Sequence, residues 1–443
     1  MASEPLQALP VASLQPCENP TMLTRDACTA LDTQDPLAGL RAQFDLPAGR
    51  IYLDGNSLGA LPSATSRRLQ QVVAQEWGQG LIESWNTAGW MSWPQRVGDK
   101  IARLIGAAPG EVVAADSTSV NLYKVLRAAT SIQHRAQPTK RVLLSQRDNF
   151  PTDLYIAQSV CAAAGWRLEP VEAATIPARL AAGDVAVLML THVNYRTGAM
   201  HDMATLTALA HATGALAVWD LAHSAGSVPV RLHAADADFA VGCGYKFLNG
   251  GPGAPAFVWA HPRHVDAAQP LSGWIGHARP FQFIAQYEAA AGIHHYLCGS
   301  PPILGLAALD CGVDSVLAAE PLGGMDALHA KAGQLGDLFI RLVDERCAGF
   351  GLELASPRDA AQRGSQVSLA HAQAWPVMQA LIARSVIGDF RAGLGGDPDL
   401  LRFGFTPLYL RFADIWDAVQ ALAEILGSRS WDAPAFHARK AVT

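Results

Sequence analysis

Charge is scarce in this chain. Of its 443 residues only 16% are Asp, Glu, Lys or Arg, while 50% are hydrophobic. That balance fits a largely buried α/β protein and is the opposite of a disordered one. No basic stripe is visible and the net charge is −6, so nucleic acid is not an expected partner. Long apolar runs are lacking too. Stretches such as Val185 to Leu190 are strand-sized, far short of the ~20 residues of a membrane span. The opening MASEPLQALPV has no basic segment followed by an apolar core, so no secretion signal is expected. Cysteine is sparse and irregular, at positions 17, 28, 161, 243, 298, 311 and 347. An odd count without regular spacing predicts reduced thiols in a cytoplasmic protein. There is no HExxH or CxxC, and the adjacent His294 and His295 point apart, so no metal site is expected. Repeats, coiled-coil heptads and low-complexity tracts are absent as well.

What is present is alternation. Residues 1–35 are polar and Pro-dotted and read as a loose N-terminal arm. Ile51 to Gly59 is a short strand running into a Gly/Asn turn, and 63–80 reads as helical. Beyond 95, helix 97–107 is followed by strand 111–115, and Asp116-Ser117-Thr118-Ser119-Val120-Asn121 opens another helix. Further strands are predicted at 141–145, 185–191, 215–220, 238–242 and 255–259, with Ala-rich helices between several of them. Such alternation implies a mainly parallel sheet with helical crossovers. A long helix should begin near Pro301-Pro302, since Pro suits a first turn. The expected organisation is the arm (1–35), an N-terminal part of a small domain (36–75), a large domain (76–322) and a C-terminal small α+β domain (323–443). The chain is long enough for two or three such units.

The chemistry concentrates on two residues. Val218-Trp219-Asp220 ends a predicted strand in a carboxylate, and Gly242-Cys243-Gly244-Tyr245-Lys246 places a lysine on a Gly-flanked loop after the next one. Alone, Lys246 could be a surface lysine and Asp220 a helix N-cap. Together, at the carboxyl ends of adjacent strands where open sheets bind ligands, they suit pyridoxal phosphate (PLP). The lysine would form the Schiff base and the carboxylate would keep the pyridine nitrogen protonated, so that the ring acts as an electron sink. The Asp116–Asn121 segment offers a helix N-terminus with hydroxyls for a phosphate, or is merely a Ser/Thr cap. Phe150, in Phe150-Pro151-Thr152-Asp153, could stack on the pyridine ring and Asp153 could steer it, or the segment is a Pro turn with an Asp cap. His223 could approach the cofactor or sit satisfied in a turn. Arg402, inside the apolar run Leu401 to Tyr409, suits a substrate carboxylate through its bidentate fork, or an intramolecular ion pair.

Taken together, Asn56-Ser57-Leu58-Gly59, the 116–121 segment, Phe150 to Asp153, Trp219 to Gly226, Gly242 to Gly253 and Arg402 to Tyr409 resemble the kynureninase family, from about residue 35 to 430. The resemblance implies fold type I of the PLP-dependent transferases, in the aminotransferase class V superfamily. It implies a mainly parallel seven-stranded sheet flanked by helices, plus a smaller α+β domain. The implied reaction is hydrolysis of L-kynurenine to anthranilate and L-alanine, with 3-hydroxykynurenine as a poorer substrate. Carried over position by position, Lys246 is the Schiff-base lysine, Asp220 the partner of the pyridine nitrogen and His223 its neighbour. Thr118 and Ser119 bind PLP, Phe150 stacks on it, and Asp153 is the Asp of the FPTD motif. Tyr245 binds phosphate and moves protons. Arg402 clamps the α-carboxylate, with Asn56 and Ser57 also at the substrate. Trp274 and Ser300 complete the cofactor site from the partner subunit of a homodimer. The competing expectations are another class V enzyme, an aminotransferase or a cysteine desulfurase, or a PLP-binding protein without turnover.

Overall fold

The structure, a computed structural model, describes residues 23–439. Its centre is a seven-stranded sheet in the order Val112–Ala114, Phe257–Ala260, Phe239–Gly242, Leu216–Asp220, Val185–Thr191, Val142–Gln146, Arg167–Val171. All neighbours are parallel except Phe257–Ala260, which runs antiparallel to both strands beside it. The strands form because they are apolar without interruption: every residue of Val185–Thr191 is buried. Such a run needs cover on both faces, and it has it. Leu188, Leu190 and Trp219 join one core, while Val187, Met189 and Val218 join the other.

Six of the seven strands lie within two residues of their expected positions, a normal spread for element ends. Arg167–Val171 is the one the sequence conceals. It is an edge strand, half exposed, and carries Pro170, which a strand tolerates only at an edge or bulge. Helix Trp93–Ile105 starts with Pro at its first turn, and Ile303–Leu317 begins just after Pro301-Pro302 as expected.

The C-terminal part carries a four-stranded antiparallel sheet in the order Asp389–Arg391, Leu400–Gly404, Gln366–Ala370, Glu353–Leu354. Helices Gly324–Arg346, Ala374–Ala383 and Phe412–Ser428 pack with it. Ile51–Tyr52 pairs in parallel with Val386–Ile387, so the segment after the arm is stitched to this region.

The reading of residues 1–35 as a loose arm needs correction over its last stretch; residues 1–22 lie outside the described part. Arg25–Gln34 is a helix capped by Thr24. Arg25 pairs with Asp417 at 2.7 Å, and the Asp32 carboxylate accepts from the backbone N–H groups of Phe412 (2.6 Å) and Ala413 (3.1 Å). Asp32 thereby caps helix Phe412–Ser428, whose free N–H groups and dipole favour a negative group. Only a chain folded back over nearly its whole length brings these together. Among the described residues no helix is long and apolar enough to cross a membrane.

Candidate active site

The carboxyl ends of the parallel strands deliver the expected chemistry to one place. Asp220 is the last residue of its strand, and Lys246 follows the end of Phe239–Gly242 by one tight turn. Gly244 has no room for a side chain, since a Cβ there would stand 2.3 Å from the Pro255 carbonyl oxygen. From the other side, Gly59 lies so close that a Cβ would stand 2.3 Å from the Lys246 carbonyl oxygen. Its N–H donates to the Tyr245 carbonyl at 2.8 Å. The Asn56–Gly59 turn thus packs directly on the lysine loop.

Lys246 Nζ is 3.0 Å from His223 Nε2 and faces the Phe150 ring, 5.8 Å from its centroid. His223 is buried, and burial, reinforced by the Lys246 charge, holds its pKa well below the usual range. It is therefore neutral, and its Nε2 accepts from the lysine.

Asp220 and Asp153 are both buried and share a hydrogen bond. Burial raises both, but unequally. Asp153 is pushed well up by burial and then by the Asp220 charge. Asp220 is raised by burial but opposed by the Lys246 charge and by the Ala222 N–H, which donates to it at 2.8 Å. Two carboxyls this close hold one proton between them. The upward push is the stronger at Asp153, while at Asp220 the Lys246 charge and the Ala222 N–H oppose it. Thr191, hydrogen-bonded to Asn149 through its hydroxyl, also reaches Asp153 Oδ2 at 3.4 Å.

Ser117 caps helix Thr118–Ala136 by accepting from the Val120 N–H at 3.3 Å. Thr118 and Ser119 form its first turn, where a helix leaves N–H groups without internal partners. Lys124, fully buried, is paired with Asp116 and donates to the Tyr296 carbonyl at 2.6 Å, which fixes this turn beneath the strand ends. Tyr245 is half-buried, and burial raises its phenol, so it stays protonated.

A buried carboxyl near a lysine, an aromatic ring facing that lysine and an open helix N-terminus form a set that fits pyridoxal phosphate. Asp220, Lys246, His223, Phe150, Asp153 and Tyr245 lie together at the strand ends. Trp274 and Ser300 stand apart. Trp274 packs on Phe281 and Phe283 in a surface loop, and Ser300 is exposed. Their two loops are tied to each other, since the Ile275 N–H donates to the Cys298 carbonyl at 3.3 Å.

Arg402 is only 1% exposed and is already engaged. Its Nε and Nη2 hold Asp389 at 2.8 and 2.5 Å, Nη1 donates to the Tyr195 carbonyl at 2.7 Å, and Nη2 reaches Ser57 Oγ at 2.8 Å. The structure shows the intramolecular ion pair, the second of the two expectations for Arg402: its fork holds Asp389, and Nη2 also reaches Ser57. Asn56 is fully buried, with neither side-chain polar atom hydrogen-bonded.

Asp54, Asp389 and Arg391 belong to this cluster and carry no local signal in the sequence. Burial, then the charge of Asp389, pushes Asp54 up to about 7. An unfolded Asp titrates near ~3.9, so the raised folded value makes the proton favour the fold. That contribution is full below the unfolded value and is lost as pH rises through about 7. Asp54→Asn should therefore gain thermal stability over the parent as pH rises from about 5 to about 8. Paired melting curves test this, and a difference that stays flat across the range contradicts it.

Comparison with known proteins agrees with the geometry. The family description "Kynureninase C-terminal domain" matches residues 328–422. Kynureninase from Pseudomonas fluorescens is 53% identical over 425 residues, covering 95% of this chain and 100% of the relative. Kynureninase from Burkholderia pseudomallei (strain K96243) is 54% identical over 426 residues, with the same coverage. Among solved structures, the apo cysteine desulfurase from Thermococcus onnurineus NA1 superposes with a TM-score of 0.74 at 19% identity, over 88% of this chain and 98% of that one. A C-DES mutant with glycine covalently linked to its PLP cofactor also gives 0.74, at 18% identity, over 87% and 99%. These two share the fold, a mixed α/β architecture around the largely parallel sheet. The full-length identity to the bacterial relatives reaches further than fold, and by it this chain belongs to the kynureninase family.

Proposed function

We propose that this protein is a PLP-dependent hydrolase that splits the Cβ–Cγ bond of L-kynurenine with water, releasing anthranilate and L-alanine. The observation that carries this is the Asp220–Lys246–His223 cluster at the strand ends, in a chain 53% identical over 425 residues to a kynureninase. When bound, pyridoxal phosphate supplies the electron sink that makes Cα and Cβ chemistry accessible. The rest falls to the protein.

Thr118 and Ser119 hold the phosphate at the helix N-terminus, where N–H groups and the dipole favour an anion, and Tyr245 adds a phenol donor. Phe150 stacks on one ring face. Asp220 would face the ring nitrogen with its carboxylate, and Asp153, buried beside it, would hold Asp220 in place. Lys246 would anchor the cofactor, and its amine would be placed to take a proton from the substrate's Cα. Neutral His223 accepts a hydrogen bond from that amine. Tyr245 keeps its proton and can return one to carbon as a general acid. Arg402, Ser57 and Asn56 line the carboxylate end of the substrate.

A desulfurase reading would need an activated thiol. Cys28, Cys161 and Cys347 are buried and pushed up to about 11, the reverse of activation. Incubating the PLP-reconstituted protein with L-kynurenine should release fluorescent anthranilate, and no anthranilate would overturn the proposal.

The active unit is a homodimer in which Trp274 and Ser300 reach the neighbouring site. Trp274 sits with exposed Phe281 and Phe283 in a loop tied to that of Ser300, and a buried Trp is a strong anchor at an interface. Refolding Lys246→Ala together with Trp274→Ala should restore activity above either parent, because one site of each heterodimer carries neither lesion. No recovery in proven heterodimers, with both parents inactive, would place Trp274 in its own chain's site.

A further inference from the structure

The turn assigned to the cofactor's phosphate carries a charge of the wrong sign. Asp116 stands one residue before Ser117, the cap of helix Thr118–Ala136. Its backbone is left-handed, at φ 53°, a conformation that Asp and Asn tolerate better than most residues. The Ala256 N–H donates to its carbonyl at 2.9 Å, which pins the turn to the neighbouring segment. The side chain is 27% exposed, so it has room to turn toward the helix. A carboxylate there is favoured by the free N–H groups and the dipole of the helix. The same two features bind a phosphate. Two anions at one helix N-terminus repel, so an unpaired Asp116 would compete with the phosphate.

Lys124, in the second turn of the same helix, removes that competition. Its ammonium is wholly buried and has three N–H bonds to satisfy. They meet three acceptors: Asp116 Oδ2 at 2.5 Å, Asn121 Oδ1 at 3.3 Å and the Tyr296 carbonyl at 2.6 Å. Asn121 is itself fixed, since its Nδ2 donates to the Ala115 carbonyl at 2.8 Å. Burying a charge is costly unless it is paired and hydrogen-bonded. Packing alone does not call for a lysine here, because Leu122, Val125 and Leu126 around it are apolar and fully buried. What the ammonium adds is electrostatic. It holds the Asp116 carboxylate and offsets its charge, which leaves the first-turn N–H groups at Thr118 and Ser119 to an incoming anion. The bond to Tyr296, in the turn Gly292–Tyr296, fixes the ammonium from the far side.

We propose that Lys124 is a positioning residue for the cofactor: by neutralising Asp116 it keeps the N-terminus of helix Thr118–Ala136 open to the cofactor's phosphate. This rests on the phosphate placement proposed above. The full-length protein, freed of cofactor, is titrated with PLP and with pyridoxal, which has the same ring and aldehyde but no phosphate. Visible absorption follows both. In Lys124→Met the affinity for PLP should fall by roughly tenfold or more, while pyridoxal binding is unchanged. Adding Asp116→Asn to Lys124→Met should recover the PLP affinity, because the competing charge is then gone. Asp116→Asn alone keeps an oxygen for the ammonium and suits the left-handed turn, so it should raise the preference for PLP over pyridoxal. This variant decides the matter even where Lys124→Met does not fold. The proposal is overturned by unchanged PLP affinity in Lys124→Met, or by an equal loss of PLP and pyridoxal. It is overturned as well by a double variant no better than Lys124→Met, or by a lower preference in Asp116→Asn. A wild type that binds pyridoxal as well as PLP would remove the phosphate from this turn and overturn the placement along with the proposal. Anthranilate release by the wild type is read separately and tests the reaction alone.

Discussion

Lys246→Ala should lose both its yellow colour and its turnover. The account gives this one amine two tasks that no neighbour can take over. It anchors the cofactor, and it moves the proton at Cα. His223, the side chain 3.0 Å from Nζ, is held neutral by burial, but an imidazole cannot form the same covalent bond to an aldehyde. Removing a positioned general base typically costs ~10²–10⁴ in rate, and losing the anchor adds to that. Activity should therefore fall by at least about a thousandfold. The fold should survive, because Lys246 is half-exposed on a loop, so circular dichroism should match the parent. Visible absorption after PLP addition and a kynurenine assay read the two tasks separately. A variant with parental colour and near-parental rate would mean that another lysine is the anchor.

Asp220→Ala is expected to have the next largest effect, and it should act on the chemistry more than on the fold. Asp220 is one member of a buried carboxyl pair with Asp153. Removing it takes away the carboxylate proposed to face the ring nitrogen and leaves Asp153 without its partner. One preorganised electrostatic contact to developing charge is worth roughly 10²–10³ in rate. PLP affinity should weaken, while the Ala222 N–H that loses its carboxylate partner lies at a loop edge where water can replace it. Rate and PLP titration together decide the matter. A change below about tenfold in rate would remove Asp220 from the ring nitrogen.

What the sequence reveals and what it hides divide along the range of the interactions. Asp220 and Lys246 were legible because one ends a continuous apolar run and the other follows the next such run on a Gly-flanked loop, and such runs in an alternating α/β chain read as strands whose carboxyl ends lie together. Helix Ile303–Leu317 was legible from its leading prolines. The Asp153–Asp220 pairing was not, because the two residues sit in segments that only the strand order brings together. Arg402 shows the limit most clearly. An Arg in an apolar strand demands an anion, but whether that anion is a substrate or Asp389 depends on strand register, and no local pattern encodes register. Helix Arg25–Gln34 was missed for a similar reason: its sequence is polar overall, and what stabilises it is docking on Phe412–Ser428 from the far end of the chain.

The central claim is that this cofactor site breaks a carbon–carbon bond with water rather than moving an amine or a sulfur atom. The most direct measurement is product stoichiometry: purified holoenzyme is given L-kynurenine alone, and anthranilate and L-alanine are quantified in the same sample. The account predicts the two in equal amounts, rising together over many turnovers without an added keto acid. Consumption of kynurenine that stops after one equivalent, or that yields a keto acid in place of alanine, would identify an amine transferase and contradict the claim.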